Sequence, residues 1–189
     1  MKGLRVIHGF LNSNECKLLM ALVDKSFARL APFYTQGHFD KVMVGDFREM
    51  MVSAWNSDSL PQQIFNRLKT EARISDNLKW ESIHVLDLRD QNVGIHCILL
   101  KSGINHHIDH DCTGNVILGL NLLSDTVIKF KKDNVEKEIL LLPNSAYIMM
   151  DEARYEWSHS IPAGKDHTFC GKEIIRFRRV SLLLRNGKN

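Results

Sequence analysis

From Trp80 to the C-terminus the apolar residues of this chain lose helical spacing and fall into short runs, and that switch limits the fold more than any other feature. Ile83 with Val85, Val116 to Leu123, Val127 to Lys131, Ile139 to Leu142, Ala146 to Met150 and Val180 to Leu184 each read as a strand, punctuated by turn sequences such as Pro143-Asn144-Ser145. Before the switch the period is helical. Asn12-Ser13-Asn14-Glu15 offers cap chemistry, and Cys16, Leu19, Met20, Val23 and Phe27 then recur on one face. Ser59 with Leu60-Pro61 opens a second helix, because proline is tolerated in a first turn, and Ile64, Phe65, Leu68 and Ala72 give it an apolar stripe. Between them, Ala31 to Trp55 is irregular and reads as loops and short strands. Two helices followed by many short strands predict an α+β, mainly β chain: an antiparallel barrel or sandwich with both helices packed against one sheet.

At 189 residues one hydrophobic core serves the whole chain. The expectation is a single domain over 1–189, with a helical N-terminal part at 1–79 and a barrel core at 80–189. Its 44% hydrophobic and 25% charged content is that of an ordinary globular protein, and a net charge of +3 neither requires nor forbids a nucleic-acid partner. Cys16, Cys97, Cys112 and Cys170 lie far apart with no C-x-x-C pair, so reduced thiols are expected rather than a disulfide scaffold or zinc knuckle. The apolar runs are too short to span a bilayer. The start, Met1-Lys-Gly-Leu-Arg5, has neither a secretory apolar region nor a clear transit-peptide pattern. One apolar stretch, Gln91 to Leu100, sits awkwardly and is expected to be an additional strand or an exposed insertion.

His107-Ile108-Asp109 places an imidazole and a carboxylate two positions apart, which in extended chain project to the same side. His106 then faces away. Two histidines and one carboxylate leave three positions open on octahedral iron(II), and His159, fifty positions beyond Asp109, is the best third ligand. A second H-x-D at His38-Phe39-Asp40 lacks such downstream context. Arg179 and Arg185, six apart on one strand, point to one side, where planar guanidinium groups can grip a dicarboxylate. A zinc module built from His106, His107, His110 and Cys112 is disfavoured, because such crowded neighbours cannot all face one tetrahedral ion.

H-x-D, then Arg154-Tyr-Glu-Trp157-Ser-His159-Ser-Ile161, then Arg179 to Arg185 as R-x-x-x-x-x-R, resembles the AlkB dioxygenases. Within them the chain is most similar to the seventh-homologue, mitochondrial type, through His38-Phe-Asp with Gly45-Asp-Phe-Arg-Glu, Ile83-His-Val-Leu-Asp-Leu, Gly119-Leu-Asn-Leu-Leu-Ser and Ala153-Arg-Tyr. The resemblance implies a double-stranded β-helix (jelly-roll) core with two N-terminal buttressing helices. It implies iron(II) held by His107, Asp109 and His159, with 2-oxoglutarate as cosubstrate on Arg179, Arg185, Tyr147 and His84. Relative to the family pattern, about ten residues around Gln91 to Leu100 look inserted, and His106 stands where histidine is unusual.

The function implied is oxidation of a substrate by O2, coupled to conversion of 2-oxoglutarate to succinate and carbon dioxide. A protein or small-metabolite substrate is expected, because the segment before Trp80 lacks the basic, aromatic platform on which bases stack. The resemblance adds a mitochondrial matrix setting, with the cytoplasm as alternative, and a role in lipid and energy metabolism and programmed necrosis. A monomer is expected. RNA (tRNA) demethylation and a catalytically inactive binding protein of the same fold are the alternative readings.

Overall fold

The computed structural model describes residues 1–30, 42–45, 47–53, 59–75, 77–89, 91–93, 98–100, 102–110, 113–163 and 167–187. Its N-terminal elements are β1 (Leu4–Ile7), α1 (Ser13–Leu30), β2 (Met43–Val44), β3 (Phe47–Val52) and α2 (Leu60–Ala72). Strands β4 (Ile83–Arg89), β5 (Gln91–Val93), β6 (Ile98–Leu100), β7 (Gly103–His107), β8 (Thr113–Leu122), β9 (Thr126–Lys132), β10 (Val135–Leu141) and β11 (Ser145–Met149) follow. After α3 (Asp151–Tyr155) come β12 (Ser158–Ile161), β13 (Thr168–Phe169), β14 (Lys172–Glu173) and β15 (Arg178–Gly187).

Two antiparallel sheets form the body, a six-stranded one in the order β1-β11-β8-β15-β4-β3 and a five-stranded one in the order β10-β9-β12-β7-β2. This is the jelly-roll architecture expected. Strand alternation divides the apolar residues of the large sheet between two layers. Val116, Leu118, Leu120 and Leu122 of β8, with Val180, Leu182 and Leu184 of β15, pack with Leu19, Val23 and Phe27 of α1 and Ile64, Phe65 and Leu68 of α2. The intervening residues Ile117 and Leu183 join Phe130 and Ile161 of the small sheet in a second cluster. Each large side chain so buried contributes roughly 1.5–3 kcal/mol. The second face of β15 therefore looks into the space between the sheets, which is where Arg179 and Arg185 point.

Helix α1 starts as its sequence requires. Asn12 Oδ1 accepts from the backbone N–H groups of Asn14 (3.0 Å) and Glu15 (2.9 Å), while Glu15 Oε2 accepts from the Asn12 N–H (2.9 Å), a reciprocal cap. Asp87 of β4, fully buried, accepts from Arg48 Nε at 2.7 Å and Arg178 Nε at 3.0 Å, and both guanidinium groups also reach Asp24 of α1. That network ties the helix to the sheet. Ser59, by contrast, makes no side-chain cap bond at α2.

Residue 80 is not a seam. The helical part expected at 1–79 also carries β1, which pairs with β11, and β2 and β3, which pair with β7 and β4, so both sheets draw on it. Gln91–Val93 and Ile98–Leu100 pair as a separate two-stranded antiparallel sheet, with Gln91 opposite Leu100 and Val93 opposite Ile98, and add no strand to either main sheet. Leu123, read as the end of a strand, lies beyond β8 at φ +73°, inside the turn to β9. Cys16 and Cys170 are free thiols, and Cys97, Cys112 and the His38 to Asp40 motif lie outside the described residues. Among the described residues no helix is long and apolar enough to cross a membrane.

Candidate metal and cosubstrate site

His107 ends β7 and stands directly opposite His159 of β12, so the two imidazoles share one face of the small sheet with ring centroids 4.4 Å apart. Asp109, two residues past the end of β7, turns its carboxylate back between them. Its Oδ1 lies 3.4 Å from His107 Nε2 and 3.8 Å from His159 Nε2, and one ligand atom from each of the three residues falls within 4.8 Å of the others. His107 Nδ1 donates to the Asn105 carbonyl at 2.9 Å, which turns Nε2 to the Asp109 side. His106 occupies the opposite face, its Nε2 3.1 Å from Ser160 Oγ, as its register requires.

The electrostatics favour a cation here. Burial presses the His159 imidazole down to about 4, against the nearby Asp109 charge that raises it, so at neutral pH one ring nitrogen keeps an available electron pair. His159 Nδ1 is buried, with no hydrogen-bond partner among the described residues. Burial pushes the Asp109 carboxyl up, but the His107 hydrogen bond and the charges of Arg185, His159 and His107 outweigh it and hold the group well below the usual carboxylate range. A carboxylate and two imidazoles are the donor set that suits iron(II) with open positions.

Arg185 and Arg179 extend the site along β15. Arg185 Nε lies 3.4 Å from Asp109 Oδ2, and its Nη1 donates to His84 Nδ1 at 3.3 Å. Because arginine only donates, His84 holds its proton on Nε2, which faces Glu49 Oε2 at 2.9 Å. Arg179 is 1% exposed, and its Nε donates to Asn121 Oδ1 at 2.9 Å. Among the described residues no carboxylate pairs with it, and burial lowers its guanidinium to about 10. Tyr147 has its hydroxyl pushed up by burial, against the charges of Arg179 and Arg185 that lower it. Its ring lies over Gly119, where a Cβ would meet Tyr147 Cε1 and Cζ at 2.2 Å, so only glycine leaves room for that ring.

All seven residues expected at the site thus converge on the space between the sheets. Three more belong beside them. Ser181, on the same face of β15 between the two arginines, is fully buried with an unpartnered hydroxyl. Period-two counting from Arg179 would have found it. Asn121 interrupts an otherwise apolar strand, which is the mark of a buried polar group with a task. Arg154, also 1% exposed, donates to the carbonyls of Asp109, His110 and Gly114 and to Thr113 Oγ1, clasping the loop that carries Asp109.

No protein-family model matches the chain. It is 32% identical over 186 residues to the mouse "Alpha-ketoglutarate-dependent dioxygenase alkB homolog 7, mitochondrial", covering 96% of this chain and 77% of that protein. The bovine protein of the same name is 31% identical, with 94% and 76% covered. Among solved structures, a prolyl hydroxylase from Trichoplax adhaerens in complex with a hypoxia inducible factor peptide superposes with a TM-score of 0.67 at 10% identity, over 99% of this chain and 84% of that one, a likeness of fold alone. With a jelly-roll body, a His-Asp-His cluster beside one buried and one partly buried arginine, and relatives at this identity over nearly its whole length, the chain belongs to the AlkB family of 2-oxoglutarate (α-ketoglutarate) dependent dioxygenases, alongside its seventh, mitochondrial homologue.

Proposed function

We propose that His107, Asp109 and His159 hold iron(II), and that 2-oxoglutarate lies between Arg179 and the metal, its distal carboxylate on Arg179 and its chelating end beside Arg185, Tyr147 and His84. The observation that carries this reading is the buried guanidinium of Arg179, which pairs with no carboxylate among the described residues, on the same strand face as Arg185, which itself touches Asp109. A buried cation with no anion of its own is costly, and a bound dicarboxylate removes that cost. When bound, the ion supplies oxygen activation coupled to decarboxylation of the cosubstrate. The protein's residues orient the reactants: Arg185 steadies the Asp109 carboxylate, His107 is locked in one tautomer by Asn105, and Tyr147 closes the pocket over Gly119.

A protein or small-metabolite substrate, acted on in mitochondria, completes the proposal. Two relatives whose names carry the word mitochondrial support the location. A role in lipid and energy metabolism and programmed necrosis rests on the family resemblance alone. The test is succinate formation from 2-oxoglutarate by purified protein with iron(II), beside His107→Ala, Asp109→Ala and His159→Ala. Each variant is expected to lose iron and turnover while staying folded. Stoichiometric iron in all three would remove the ligand assignment.

A further inference from the structure

Three arginines stand on or beside the final strand near the site, and they are paired differently. Arg178 holds the carboxylates of Asp87 and Asp24, and Arg185 lies against that of Asp109. Arg179, between them in sequence, is offered only an amide: its Nε donates to Asn121 Oδ1, and among the described residues its terminal nitrogens make no hydrogen bond.

The amide's orientation is dictated by what surrounds it. Asn121 Nδ2 faces three backbone carbonyls, Ser124 at 3.0 Å, Leu141 at 3.3 Å and Leu142 at 3.2 Å. Carbonyls only accept, so the NH2 end must lie toward them, and Oδ1 must turn toward Arg179, which only donates. The carbonyls belong to the end of β10 and to the turns on either side of β9 and β10, each of which includes a residue in the left-handed region, Leu123 at φ +73° and Asn144 at φ +63°. The Asn144 N–H donates in turn to the Asn121 carbonyl at 2.8 Å. Asn121 is therefore itself immobilised, fully buried and anchored to two turns, before it touches the arginine.

We propose that Asn121 is a positioning residue for the cosubstrate: it fixes the plane of the Arg179 guanidinium through Nε with a neutral acceptor, and so reserves the charge and the terminal nitrogens for the ligand's distal carboxylate. An aspartate in its place would satisfy Nε equally well and neutralise the cation, setting a resident carboxylate in competition with the arriving one. An apolar residue would leave Nε unsatisfied and the guanidinium free to rotate. This inference rests on the cosubstrate reading above.

The experiment compares Asn121→Asp with Asn121→Leu, because both lose the Nδ2 donors while only aspartate keeps an acceptor for Nε and adds a charge, so weaker binding by the aspartate variant despite its acceptor reports the charge. Binding is measured anaerobically with manganese(II) in place of iron, by quenching of intrinsic fluorescence, for 2-oxoglutarate and for 2-oxobutyrate, which chelates alike but has no distal carboxylate. Asn121→Leu is expected to weaken 2-oxoglutarate about tenfold and Asn121→Asp about tenfold further, while 2-oxobutyrate stays within about twofold throughout. A merely structural role weakens both ligands in proportion, and that result, or equal 2-oxoglutarate affinities in the two variants, overturns the inference. Arg179→Ala is run alongside. If it leaves 2-oxoglutarate affinity unchanged, the cosubstrate reading itself falls; if it weakens binding and Asn121→Asp does not, only the present inference falls. Should the Asn121 variants fail to fold, the wild-type Arg179 Nε–H is followed by NMR. It is expected to be protected from exchange with and without ligand, and exchange as fast as that of a surface arginine overturns the proposal.

Discussion

Replacing Arg154 by lysine keeps a charge in the protein and removes the clasp on the loop between β7 and β8. The guanidinium reaches its acceptors through three separate nitrogens: Nε to Gly114 O at 3.3 Å, Nη1 to Asp109 O at 3.0 Å, and Nη2 to His110 O at 3.0 Å and Thr113 Oγ1 at 2.7 Å. A lysine ammonium is a single point and cannot span that set, so at least two acceptors lose a charged donor. Such bonds contribute roughly 1.5–3 kcal/mol each, and water reaching the partly exposed side of the loop recovers part, leaving about 2–3 kcal/mol. For a chain of this size that is a fall of about 4–12 °C in the melting temperature. Because the same loop carries Asp109, metal affinity falls as well, by about tenfold if half of the loss is felt there. Differential scanning calorimetry and a manganese(II) titration of Arg154→Lys measure both. A variant that melts within about 1 °C of wild type and binds the ion within about twofold would refute the clasp.

Arg179→Lys is expected to weaken 2-oxoglutarate by ~1–3 kcal/mol with metal content unchanged, since lysine loses the planar fork; equal affinities in a direct titration would reduce Arg179 to a structural cation. Gly119→Ala drives a methyl group into the Tyr147 ring, 2.2 Å from its carbons, and is expected to cost ~1–3 kcal/mol in urea unfolding and to weaken the cosubstrate as the ring shifts; wild-type stability would mean that the ring has room to move. In the metal-free protein His159, pressed from 6.5 to about 4, binds its proton less readily folded than unfolded. Its contribution to stability is therefore present above pH 6.5 and lost as pH falls toward 4, and the depressed Asp109 acts in the same direction at lower pH. Urea midpoints of the metal-free protein should drop across that window for wild type and less steeply for His159→Gln; parallel slopes would remove His159 as the cause.

Much of the site was legible because its signals are local. His107 and Asp109 share a side by period-two counting, and Arg179 with Arg185 does the same, so each pair could be read before any fold was known. The two helices declared themselves through Asn12 to Glu15 and Leu60-Pro61 and through apolar stripes that do pack on the sheet. The five-residue helix α3 was illegible, because so short a helix shows no periodicity. Strand β1 was missed as a partner of β11 because four residues carry no record of what they pair with 145 positions later, Leu4 with Met149.

What the amino-acid sequence determined by itself is the alphabet of the site: which side chains carry imidazole, carboxylate and guanidinium, and which face of each strand they take. Tertiary structure alone decided their company. Register across β7 and β12 set His107 against His159, and β15 lying between β8 and β4 gave Arg179 the Asn121 amide and Arg185 the His84 imidazole. Alternation is a property of one chain segment and survives in any context, whereas the neighbour across a sheet is chosen by long-range pairing. Whether a buried arginine is satisfied or left waiting for a ligand depends on that neighbour.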